Sequence, residues 1–90
     1  MVRIYKRREF NLYSAEDGYI IHNSKGEFSQ HHTHINNYHT AKYLIDLAIH
    51  KSIPCKHISS YLIESLIRIS FDKNYIENLK RLKNSKSNKK

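Results

Sequence analysis

The chain has a single cysteine, Cys55, so it can neither close an internal disulfide nor build a cysteine-based zinc knuckle. The expected state of that thiol is a small buried hydrophobe in a reducing cytosol. Two glycines, Gly18 and Gly26, are too few for a phosphate-cradling loop. No serine is flanked by glycines, which excludes a nucleophile elbow. Proline occurs once, at Pro54, and tryptophan does not occur. No apolar run approaches the ~20 residues of a membrane span. The polar stretch Arg3 to Glu9, with no apolar segment behind it, does not read as a secretory leader. A small, soluble, cytoplasmic protein is expected. Acids are scarce as well: there are eight, and none follows Glu77. Only Glu16 and Asp17 are adjacent, in a turn, while Asp46 and Glu64 read as solvated surface on separate helices.

Basic charge is what the chain has in excess. It carries sixteen lysines and arginines and a formal net charge of +8. Ten of the sixteen sit near the two ends: Arg3, Lys6, Arg7 and Arg8, then Lys80, Arg81, Lys83, Lys86, Lys89 and Lys90. The stretch from Glu9 to Leu79 holds six basic and eight acidic residues, so the body is close to neutral. A positive field placed in this way attracts polyanions and raises encounter rates with them. Ninety residues make one domain, assigned here to residues 1–82, with 83–90 as a disordered basic tail. An apolar content of 39% suffices for one small core but not for a deep substrate cavity as well. Seven tyrosines suit such a thin core, because the ring packs while the hydroxyl stays wet. The bias toward lysine, asparagine and isoleucine fits an AT-rich genome, such as that of a low-GC bacterium, its phages or its mobile elements.

Periodicity divides the chain in two. Residues 2–13 read as one strand with an alternating apolar face. Asp17-Gly18 marks a tight turn, Tyr19 to Asn23 a second strand, and Ser24-Lys25-Gly26 a second turn. Glu27 to about His34 reads as a third strand of an antiparallel meander. From Tyr38 the period changes to 3.6. Tyr38, Ala41, Leu44, Ile45, Ala48 and Ile49 make one stripe of a helix over 38–51, capped by Asn36 or Asn37. Pro54 stops it. Ser59 or Ser60 caps a second helix, whose Leu62, Ile63, Leu66, Ile67 and Ile69 suggest a nearly all-round apolar surface. Asp72 caps a third, with Ile76, Leu79 and Leu82 repeating every three residues. The expected fold class is α+β: a meander of two or three strands followed by three helices, with the first two helices covering the apolar face of the sheet.

Two constellations can carry function. His31, His32, His34 and His39 fall within nine residues, with His22 upstream, and imidazole is a common ligand for zinc, nickel and copper. In an extended segment His32 and His34 share a face, His22 can join from the neighbouring strand, and His39 can close a fourth position. The spacing matches no zinc-module signature, so no metal and no cofactor is assigned. A histidine-rich surface loop is the plainer account. Metal-dependent single-strand nucleases use two histidines one residue apart and a helical tyrosine nucleophile. Tyr38 or Tyr43 would serve here, but Thr33 stands between the histidines in place of a bulky hydrophobe.

The basic ends are the second constellation. Arg3, Tyr5 and Arg7 fall on one face of an unbroken strand, with Lys6 and Arg8 on the other. Interleaved arginine and tyrosine can contact phosphates and stack on a base. Lys80, Arg81 and Lys83 would add diffuse phosphate contacts. A DNA-reading helix-turn-helix is excluded by the long proline-containing linker at 52–58 and by an apolar second helix. The expectation is a non-enzymatic accessory protein that binds DNA, RNA or a nucleoprotein complex through Arg3, Tyr5, Lys6, Arg7, Arg8, Lys80, Arg81 and Lys83. An inhibitor or regulator of a host enzyme, docking through exposed tyrosines, is the competing class. A His-cluster metal-dependent nuclease is the third.

Overall fold

Alternating side chains in the first quarter of the chain build two hairpins in succession. The computed structural model describes residues 1–55 and 57–87. Strands β1 (Val2–Arg7), β2 (Phe10–Ala15), β3 (Gly18–Asn23) and β4 (His32–Ile35) form one antiparallel sheet in chain order. Helices α1 (Tyr38–His50), α2 (Ser60–Arg68) and α3 (Lys73–Ser87) follow. The fold is therefore α+β, with four strands where two or three were expected.

The extra strand comes from a turn that carries none of the usual turn residues. Arg7 pairs with Phe10, leaving Arg8-Glu9 as a two-residue loop, and Arg8 takes a left-handed φ of 54°. Residues 2–13 are thus two strands, not one. The second hairpin uses the chemistry expected of it: Ala15 pairs with Gly18 across Glu16-Asp17. Gly18 has φ 144°, and a Cβ there would lie 3.0 Å from the carbonyl oxygen of Ile35. β4 begins five residues later than expected, because Glu27 to His31 turn instead of extending. The amides of Gln30 and His31 both donate to the carbonyl of Glu27.

The helices lie on one face of the sheet. α1 packs on β3 and β4, α2 on β4, and α3 on α2. Phe10, Leu12, Ile21 and Ile35 from the strands meet Ala41, Leu44, Ile45, Ile63, Leu66 and Leu79 in a single core. Burial of that kind contributes ~25 cal/mol per Å² of apolar surface. Asn37 caps α1 by accepting from the Thr40 amide at 3.0 Å, and Ser59 caps α2 through the Leu62 amide at 3.3 Å. Asp72 accepts from the Tyr75 amide at 2.8 Å at the start of α3. α2 is not apolar all round: Ile63, Ser65, Leu66 and Ile69 are buried, while Tyr61, Glu64 and Arg68 form an exposed stripe. The spacing of one turn between those three polar or amphipathic residues sets that stripe. Cys55 is exposed and not the buried hydrophobe expected. α3 continues to Ser87, past the expected end at Leu82; the remaining residues of the expected tail, 88–90, lie outside the described residues.

Polar contacts between the two layers fix how they dock. Asn23, 2% exposed, donates through Nδ2 to the carbonyl of Ile69 at 2.8 Å. Thr33 and Ser65 share a buried hydroxyl–hydroxyl bond of 2.6 Å between β4 and α2. The Tyr61 hydroxyl donates to the carbonyl of His34 at the outer edge of β4. That contact satisfies an edge carbonyl that would otherwise be free to pair with another strand.

Candidate functional site

Among the described residues, no helix covers the second face of the sheet, and strand register decides which side chains stand on it. Inward residues on β2 are Phe10 and Leu12, so Asn11 and Tyr13 point the other way. Pairing then extends two rows across all four strands. One row is Lys6, Asn11, His22 and His32. The other is Arg3, Tyr13, Ile20 and His34. Three strand spacings make each row about 14 Å long. Neither row contains an acidic residue.

Arg3 reaches this face through a bulge. The register of β1 against β2 shifts between Arg3 and Tyr5. One extra residue reverses the side on which the preceding side chains emerge. Arg3 therefore shares a face with Lys6, and its guanidinium donates to Asn11 Oδ1 at 3.3 Å. This corrects the expected grouping of Arg3 with Tyr5 and Arg7. Those two residues point toward the helices. Tyr5 is half-buried beneath Lys42, whose ammonium lies 4.8 Å from its ring centroid and 5.3 Å from that of Tyr38. Arg7 pairs with Asp46 of α1 at 3.0 Å, an exposed contact of small energetic weight. Arg8 stands in the turn and is exposed.

The loop 24–31 returns an aromatic ring to the open face. Phe28 stacks on His32 with centroids 4.6 Å apart and planes 8° apart. His22 lies 5.1 Å away and Tyr13 6.5 Å away, the latter edge-on. Phe28 is 38% exposed, so solvent reaches part of its ring. Gly26 makes the return possible: a Cβ there would meet the Phe71 ring at 2.6 Å and the His31 ring as well. Tyr13 and Phe28 are the site residues that sequence reasoning missed. Tyr13 would have emerged on the open face had the turn at Arg8-Glu9 been placed, since alternation from Phe10 and Leu12 puts it there; its place opposite Arg3 follows from the bulge.

Three of the four histidines weighed as metal ligands are on this face. His22 Nε2 donates to the carbonyl of Gly26 at 3.0 Å. His32 Nδ1 donates to the carbonyl of Phe28 at 2.7 Å, and His32 Nε2 lies 3.2 Å from His34 Nε2. His39 opens α1 on the other side of the sheet, against the edge of the Tyr38 ring. Among the described residues, no three histidine, cysteine, aspartate or glutamate side chains converge on one point. Tyr38 and Tyr43 also belong to α1, so neither faces the His32–His34 pair across the sheet.

The C-terminal cations occupy a separate place. Lys83 pairs with Glu64 of α2 at 2.6 Å. Lys80, Lys83 and Arg68 line a cleft of about 390 Å³ between α2 and α3. Arg81 is exposed on α3. α2 packs on β4, whereas Arg3 and Lys6 lie on β1, at the opposite edge of the sheet. The two basic ends are not brought together. A cleft of about 680 Å³ lies where the β2–β3 turn meets the starts of α1 and α2, and its charged lining is the acidic pair Glu16 and Asp17. Among the described residues, no helix is long and apolar enough to cross a membrane. No family model matches this chain, and neither does any curated protein or solved structure.

Proposed function

We propose that the protein binds single-stranded nucleic acid on the open face of its sheet, without catalysing a reaction on it. The observation that carries this reading is the two cross-strand rows: Arg3 and Lys6 at one edge, Tyr13 and Phe28 in the middle, histidines toward the other edge, and no acid between them. Cations that follow a phosphate backbone, beside rings on which bases stack, are the two requirements of sequence-tolerant single-strand binding. A sheet face is flat enough for splayed bases, whereas a duplex presents its bases edge-on inside grooves.

The competing reading, a protein-binding regulator, draws on the β1 edge, where Val2 and Ile4 are 65% and 44% exposed. Its partner would add a strand there. Fluorescence anisotropy with labelled single-stranded and duplex oligonucleotides separates the two. The expected result is tighter binding to the single strand, weakened by about 1–3 kcal/mol in Tyr13→Ala. Absence of binding to either oligonucleotide at low salt, or a Tyr13→Ala variant with unchanged affinity, rejects the proposal.

A further inference from the structure

We infer that His32 and His34 form a two-histidine chelate for a borderline divalent cation such as Zn²⁺, Ni²⁺ or Cu²⁺. A carbonyl oxygen can only accept, so the 2.7 Å contact between His32 Nδ1 and the Phe28 carbonyl places the proton of the neutral ring on Nδ1. The lone pair is then on Nε2, and Nε2 is the atom that faces His34. A ligating histidine fixed by a backbone carbonyl on its other nitrogen is the usual outer-sphere arrangement of a metal site.

The two Nε2 atoms are 3.2 Å apart. Two nitrogens on one tetrahedral zinc, each at ~2.0–2.1 Å, are separated by about 3.3 Å. The rings therefore already hold the spacing of adjacent ligands on one ion. The backbone supplies it: residues two apart on a strand project from the same face, and both lie on β4. Stacking of Phe28 on His32 and pairing of β4 with β3 restrict movement of the first ring. His34 is exposed, so an ion can approach from solvent. Since no third protein ligand converges on the pair among the described residues, the other coordination positions go to water. Such a site is open to an added ligand, in contrast to a closed structural zinc site.

The test uses the full chain without a histidine tag, dialysed against chelator and titrated with zinc chloride in a calorimeter. No nucleic acid is present, so the result is independent of the function proposed above. One zinc per chain is expected. His32→Asn and His34→Asn should each weaken binding at least about tenfold, the loss typical when a metal site is disturbed. His39→Asn, on α1, should leave it unchanged. Circular dichroism melts of the variants check that each is folded. Copper titration followed by electron paramagnetic resonance gives a second readout, with hyperfine structure from two nitrogens that falls to one in His34→Asn. No zinc binding would mean that the rings merely share a proton, and would overturn the inference. So would an affinity that survives both substitutions, or one that falls equally in His39→Asn.

Discussion

Tyr75 shows how a single side chain ties helices together and makes the fold sensitive to alkali. It is 3% exposed at the start of α3, and its hydroxyl donates to the carbonyl of Ser52 at 2.8 Å, just beyond α1. Burial, with a smaller effect from the Tyr43 phenol, pushes its pKa from 10.0 up to about 12. The folded state therefore holds this proton more tightly than the unfolded chain. Its contribution to stability is complete below pH 10.0, declines as the unfolded state begins to ionise, and is gone above about pH 12. Tyr75→Phe should cost about 1 kcal/mol at neutral pH through the lost hydrogen bond. The gap between variant and parent should then narrow across that alkaline window. Urea unfolding of both proteins, below pH 10.0 and near pH 12, measures it; a gap independent of pH rejects the assignment. Arg8 illustrates a local cost of the opposite kind. Its φ of 54° burdens a β-carbon with a left-handed backbone. Arg8→Gly should raise stability by up to about 1 kcal/mol, read as a higher urea midpoint with unchanged slope.

Elements in this protein are joined by a few buried polar bonds as well as by the core. The Thr33–Ser65 pair is the clearest case, because both hydroxyls are buried and each is the other's partner. Removing one hydroxyl strands the other, at a cost of about 1–3 kcal/mol; removing both leaves nothing unsatisfied. Thr33→Val and Ser65→Ala should thus each destabilise, and the double variant should lose clearly less than their sum, with a coupling energy of about 1 kcal/mol. Additive losses would show that the hydroxyls do not depend on each other. How far such features could be read from sequence differs by element. The helices were legible: a 3.6-residue period, Asn37, Ser59 and Asp72 as caps, and Pro54 as a stop all act within a few residues of the feature they specify. The Asp17-Gly18 turn was legible for the same reason. The Arg8-Glu9 turn was not, because its left-handed residue is an arginine held there by the flanking strand pairs. The bulge before Tyr5 was not legible either, since a register shift depends on what β2 presents opposite. The candidate site inherited both errors. Arg3 and Lys6 were singled out from charge and from alternation along a single strand, which put them on opposite faces; their company on one face, and the presence of Tyr13 and Phe28 there, follow only from the register of four strands and the return of a loop.

At the scale of the whole molecule, the two basic ends compete to explain any attraction for polyanions. Sequence places equal weight on them, whereas sheet order separates them. Arg3 and Lys6 lie on the open face at the β1 edge, while Lys80 and Arg81 lie on α3, which packs on α2. A strand of nucleic acid lying along the open face would meet the first pair and not the second. Salt dependence can tell them apart, because each neutralised phosphate of a single strand contributes about −0.7 to the slope of log K against log salt concentration. If the open face carries the strand, Arg3→Ala with Lys6→Ala should lower the magnitude of that slope by about 1.4. Lys80→Ala with Arg81→Ala should leave the slope as it was, although the net charge falls by the same amount. Total charge alone would make the two double variants equal. A larger effect from the α3 pair would move the site to the α2–α3 cleft and leave the sheet's aromatic residues without a role in binding. Anisotropy titrations of the parent and both double variants over a range of potassium chloride decide among these outcomes, since they differ in sign and rank and not only in size.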